Sequence, residues 1–127
     1  MMRFLILISV FLNLFLTGCA GKEPVQAYGK PVAHWLEELK KPDAKARAKA
    51  VRALGQIGTA DPEAIQALIG AVKDQDAAVQ ERAILALLQL GPAAKEAIPA
   101  LTEAKTDTDP AIRAQAQKAL ERIQSGR

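Results

Sequence analysis

The chain has 127 residues, of which 50% are apolar but only 4% aromatic, and its 17 basic and 14 acidic side chains leave a net charge of +3. That length holds one domain. A single cysteine excludes a disulfide scaffold, the aliphatic content excludes disorder, and the near-balanced charge falls short of a nucleic-acid footprint. The apolar residues are unevenly spread: residues 1–19 hold 14 of them, and the remaining 108 residues contain 25 alanines, one Tyr and one Trp. Alanine at that level, with Gly and Pro at intervals, points to closely packed helices. Without Arg3 and the rest of the leader, the balance is 16 basic against 14 acidic residues, or +2.

Met1-Met2-Arg3 is a short basic start, followed by an apolar run over Phe4–Leu16 interrupted only by Ser9 and Asn13. As a helix this run is about 20 Å long, too short for a hydrocarbon core of roughly 30 Å. It has the form of a secretory signal. Leu16-Thr17-Gly18-Cys19 resembles a bacterial lipobox, in which small residues precede the cysteine that becomes the lipidated N-terminus. The resemblance implies a signal peptide over 1–18 and lipidation at Cys19, with the mature protein anchored to a membrane of the cell envelope, facing the periplasm, rather than spanning it. Diacylation supplies the two chains that stable anchoring requires. Residues 19–30 read as the lipidated N-terminus and a tether, since Gly21–Lys30 has Gly, Pro and charge without apolar periodicity. Tyr28 there packs on the first helix or lies at the bilayer surface.

A 33-residue repeat organises residues 31–124, with 125–127 as a tail. Asp43, Asp76 and Asp109 align at that offset, as do Ala46/Val79/Ile112, Ala50/Ala83/Ala116, Ala53/Ala86/Ala119, Leu54/Leu87/Leu120 and Ile57/Leu90/Ile123. Their spacing is that of one buried helical stripe. A preceding helix aligns too, through Val32/Ile65/Ile98, Trp35/Leu68/Leu101, Leu36/Ile69 and Leu39/Val72. Each repeat is therefore a helical hairpin: 31–40 with 43–57, 62–73 with 76–90, and 92–104 with 109–124. Asp61-Pro62 and Asp109-Pro110 place an acceptor at the N-cap and proline at N1. Gly58 and Gly91 suit the left-handed position after a helix. Pro99 falls inside the third first-helix and predicts a kink there.

The pattern Asp-x-x-Val-x-x-x-Ala-x-x-Ala-Leu-x-x-Leu-Gly, as in Asp76–Gly91, resembles the HEAT-like repeat, including the variant named after phycobilisome lyases. Repeat 1 departs from it with Ala46, and repeat 3 with Gln124 in the glycine column. The expected fold is all-α: an α-solenoid of three HEAT-like helical hairpins. Thr102, Lys105 and Gln117 replace Ile69, Val72 and Ile84, so the third repeat reads as a polar cap on the array.

Catalytic groups are sparse. Beyond the leader the chain has one serine, Ser125, and one histidine, His34, which excludes Ser–His and Cys–His nucleophile systems and a His/Cys zinc site. Gly55-x-x-Gly58 lies at a helix end and reads as a C-cap rather than a phosphate loop. Asp43, Asp76 and Asp109 form a ladder with rungs about 10 Å apart, wider than the roughly 5–9.5 Å of paired glycosidase carboxylates. They start helices, and Arg47 and Arg113 stand ready to pair with them or with a neighbouring repeat's Asp. No cofactor, metal or nucleic acid is expected, and the chain is read as no enzyme.

What remains is the row of second helices, which the resemblance places on the concave wall. Lys49, Arg52, Arg82, Leu85, Gln89, Gln115, Lys118 and Arg122 lie there off the buried stripe, and five of these eight are basic. The surface suits an acidic protein partner, or anionic lipid beside the anchor. The expected function is a membrane-anchored, non-enzymatic interaction or scaffold module of the bacterial cell envelope. The alternative implied by the family name is an enzyme-associated role related to chromophore lyases.

Overall fold

The computed structural model describes residues 23–126; the leader and Cys19 lie outside them. A two-strand hairpin, β1 (Gln26–Ala27) with antiparallel β2 (Lys30–Pro31), precedes three helical hairpins. These are α1 (Val32–Glu38) with α2 (Ala44–Ile57), α3 (Pro62–Ala71) with α4 (Ala77–Leu90), and α5 (Ile98–Ala104) with α6 (Pro110–Ser125). Short 3-10 segments, Gly58–Ala60 and Gly91–Ala97, join one hairpin to the next. Each hairpin packs on its neighbour, and α4 lies between α2 and α6. The all-α solenoid expected from the period is the architecture of the described chain.

Local chemistry places every second helix. Asp43, Asp76 and Asp109 are the N-caps of α2, α4 and α6, accepting hydrogen bonds from the backbone N–H of Lys45, of Ala78 and Val79, and of Ala111. Asp61 caps α3 in the same way through Glu63 N–H. A side-chain acceptor at this position satisfies an otherwise orphaned donor and contributes about 1 kcal/mol. The carboxylate ladder is thus structural.

Between the N-caps run the apolar columns. Ala50, Ala83 and Ala116 are fully buried, as are Leu54 and Leu87, with Leu120 nearly so. The alanines let helix axes approach, and the leucines fill the space between them. Alanine columns ahead of the second helices, Ala64/Ala97 and Ala71/Ala104, with Ala97 at the end of the 3-10 segment, extend this core beyond the positions expected from the second helices. Thr102, Lys105 and Gln117, in the columns of Ile69, Val72 and Ile84, are exposed.

Of the two pairings expected for Arg47, the structure has the one with a neighbouring repeat's Asp and not the one with a capping aspartate. Arg47 donates to the carbonyls of Lys41 and Pro42, closing the turn of its own hairpin, and pairs with Asp74 in the turn of the next one at 2.9 and 3.0 Å. Gln80 and Arg113, one and two repeats on, also donate to turn carbonyls: Val72, and Asp107 with Thr108. Asp74 and Asp107 each accept from the backbone N–H two residues later. The column is therefore a set of turn staples, and only Arg47 crosses between repeats.

Burial raises the Asp74 pKa, but the Arg47 guanidinium and the Asp76 N–H outweigh it and hold the carboxyl below its usual value. A carboxyl depressed in the folded state stabilises fully above its unfolded value of about 3.9, and that contribution is lost as pH falls through the folded value. Asp74→Asn should therefore lower the melting temperature most near neutral pH. The gap from wild type should close below about pH 4. A gap independent of pH in thermal melts would remove the ion pair as its cause.

Two expectations change. The 92–104 helix with a kink at Pro99 is instead a 3-10 segment, Gly91–Ala97, followed by α5, with Pro99 in the first turn of α5. The backbone departs from helical geometry at Ala94 (φ −98°, ψ 30°), five residues before the proline. Proline's missing N–H is harmless in a first turn. Second, the later part of the segment read as a tether is folded: Ala27 is buried, and Trp35 donates its indole N–H to Ala27 O at 3.1 Å. Tyr28 packs edge-on against Trp35 with centroids 6.0 Å apart, on the first helix.

Candidate interaction surface

The surface is built on α2 and α4, equivalent helices of successive repeats. Gly55 and Ala86 face each other so closely that a Cβ on Gly55 would lie 3.2 Å from the Ala86 Cβ. Small residues at this contact let longer neighbours stand as walls. The result is a groove of about 340 Å³ lined by Arg52, Gly55, Gln56, Arg82, Leu85, Ala86 and Gln89. A second cavity of about 270 Å³ adjoins it, lined by Lys45, Ala48, Lys49, Arg52 and Arg82. The two share Arg52 and Arg82, which stand at their junction.

Of the residues expected from sequence, Arg52, Arg82, Leu85 and Gln89 converge in the first cavity and Lys49 joins the second. Gln115, Lys118 and Arg122, on α6, line neither. Arg122 instead lies beside the α4 C-cap, its Nε 3.6 Å from where a Gly91 Cβ would sit. Lys45, Ala48, Gly55, Gln56 and Ala86 complete the lining without having been expected. Gln56 had a signal, since it shares the column of Gln89 and Arg122. Gly55 did not, because its role depends on the helix across from it. It sits inside α2, and Gly58 alone is the C-cap.

Four cations line the two cavities. Among the described residues the ion pairs engage Lys40, Lys41, Arg47 and Lys73, whereas Lys45, Lys49, Arg52 and Arg82 are exposed and enter none of them. Lys49 Nζ lies 5.9 Å from the Trp35 ring centroid, a cation–π distance. At the other end of the groove, Gln56 donates its amide N–H to Tyr28 Oη at 2.9 Å. Tyr28 is 53% exposed and holds a positive φ of 52°, uncommon for a side chain of this size. His34 is half-buried against Trp35, with centroids 4.8 Å apart. No group of three His, Cys, Asp or Glu able to hold a metal occurs among the described residues.

Comparison with known proteins agrees with this architecture. No curated protein matches the chain. An engineered protein solved by crystallography superposes with a TM-score of 0.56 at 30% identity, covering 75% of this chain and 46% of its own. A second engineered protein gives a TM-score of 0.56 at 31% identity, covering 75% and 47%. A designed armadillo repeat protein in complex with the peptide (KR)4 gives 0.57 at 21% identity, covering 72% and 46%, and shares the fold alone. The chain thus spans just under half the length of these structures. The family model for HEAT repeats matches residues 32–125, the whole run of helical hairpins, and the chain belongs to the HEAT repeat family.

Proposed function

We propose that this protein is a non-enzymatic interaction module, anchored through Cys19 to a membrane of the bacterial cell envelope, that holds an acidic partner protein on its second-helix face. The observation that carries the reading is the pair Arg52 and Arg82 flanking half-buried Leu85 in one groove. Two exposed cations beside an apolar floor attract carboxylates over distance and still bury apolar area on contact. The armadillo design is in complex with a basic peptide; the charge on this groove is of the opposite kind to one that would suit such a ligand. The anchor rests on the lipobox-like Leu16-Thr17-Gly18-Cys19, and the periplasmic side follows from export.

Two variants test the two halves. Cys19→Ala should abolish incorporation of labelled fatty acid and leave the protein larger by its uncleaved leader, because the acylated residue is gone. Unchanged labelling and size would defeat the anchor. Reversing charge at Arg52, Arg82 and Lys118 to Glu should reduce cross-linking to envelope proteins at least tenfold and abolish its salt sensitivity. Equal cross-linking by this variant would move the partner off the second-helix face.

A further inference from the structure

The two cavities differ in chemistry, and they lie end to end along the same pair of helices. Lys45, Lys49, Arg52 and Arg82 surround the one at the N-terminal halves of α2 and α4, where Ala48 is the sole apolar lining residue. The one towards the C-terminal halves has Gly55, Leu85 and Ala86 between two glutamines, Gln56 and Gln89. From Lys45 to Gln56 the helix rises about 16 Å, room for about five residues of extended chain or three turns of helix. Because α2 and α4 are equivalent elements, both direct their N-termini to the cationic end. The capping carboxylates of Asp43 and Asp76 offset the helix dipoles there, so the positive potential comes from the lysine and arginine side chains.

The groove is thus polar in the directional sense: cationic at one end and apolar over small residues at the other, where Gln56 also donates to Tyr28. We infer that its occupant is a partner segment with a fixed order, two or more carboxylates at one end and one leucine-sized apolar side chain about four residues away. The carboxylates lie among Lys45, Lys49, Arg52 and Arg82, and the apolar side chain lies over Gly55 and Ala86 against Leu85. This deepens the proposed function and rests on it. Arg52 and Arg82 line both cavities, so one short segment can meet the cationic and the apolar part of the groove at once. A charge pattern alone gives attraction but no register, whereas the apolar part of the groove, at Gly55, Leu85 and Ala86, lies at one end of the cationic part. Specificity of this type arises from a central anchor inside a charged surround.

The test uses the full chain in detergent and four labelled synthetic peptides read by fluorescence anisotropy. One has two glutamates four residues before a leucine, one the reverse order, one glutamates with alanine for leucine, and one leucine with glutamines for the glutamates. Either the first or the reversed peptide should bind at least tenfold more tightly than the other three. Leu85→Ser should cost that peptide about tenfold and leave the alanine peptide unchanged. Equal affinity for the first three peptides, or loss by Leu85→Ser in the alanine peptide as well, overturns the ordered motif. If Arg52→Glu with Arg82→Glu still binds the peptides, the acidic-partner reading itself fails, which separates the two claims. Vesicles of phosphatidylglycerol that bind the full chain and compete all peptides equally would replace the segment by a lipid surface.

Discussion

Leu87→Ala should lower the free energy of unfolding by about 3–4 kcal/mol, within the range for leucine truncation in a well-packed core. Leu87 is fully buried on α4, the helix that packs on both α2 and α6. The lost methyl groups leave a cavity that cannot collapse cheaply, because the neighbouring columns are alanines already near their closest approach. With so few large side chains, each carries more of the core than it would in a domain rich in aromatics. Each repeat gains stability from its neighbours, so damage at the central helix weakens both interfaces. Urea denaturation should show a lower midpoint with an unchanged slope. Leu85→Ala, two residues away but half-exposed, should cost less than about 1 kcal/mol. Similar losses for the two would mean that α4 does not bury the face assigned to it.

The second large effect is at Gly58. Its backbone has φ 50° and ψ −123°, a region open to glycine and strained for other residues, and a Cβ there would lie 2.8 Å from Leu90 Cδ2. Gly58→Ala should destabilise by about 2–4 kcal/mol, of which the backbone accounts for roughly 1–3 kcal/mol and the displacement of Leu90 for the rest. Gly91 separates the two causes. It has a similar backbone, φ 57° and ψ −134°, but a Cβ would meet only Arg122 at 3.6 Å, an ordinary contact. Gly91→Ala should therefore cost the backbone part alone. Gly70→Ala supplies the opposite sign: nothing lies within 4 Å of the added Cβ, and φ is not positive. Replacing a glycine near the end of α3 should stabilise by up to about 1 kcal/mol. Three melting curves measure the set, and a loss at Gly70 or none at Gly58 would contradict it.

Much of the candidate surface was legible as a list and illegible as a place. The columns showed that Lys49, Arg52, Arg82, Leu85 and Gln89 lie off the buried stripe, because that is a property of one helix and its 3.6-residue turn. They did not show that Gln115, Lys118 and Arg122 stand apart from the groove, since that depends on how α6 sits beside α4. Gly55 and Ala86 were legible only as small residues. Their place as the floor comes from the packing of α2 on α4, where a Cβ on Gly55 would lie 3.2 Å from Ala86 Cβ.

The sequence by itself determined the period, the helical hairpins, the aspartate N-caps and the leucine and alanine columns. Each of these is a local preference repeated at one spacing, and repetition makes local signals readable. Only the tertiary structure decided which partner Arg47 takes, where the third hairpin breaks, and that residues 26–31 fold back onto Trp35. These outcomes turn on groups distant in sequence competing for the same donors, acceptors and space. Arg47 reaches Asp74 because the next turn brings a carboxylate within 2.9 Å, while its Nη1 is held by the carbonyls of Lys41 and Pro42 in its own turn. A single cation cannot announce that choice from its sequence position, because the geometry between repeats makes it.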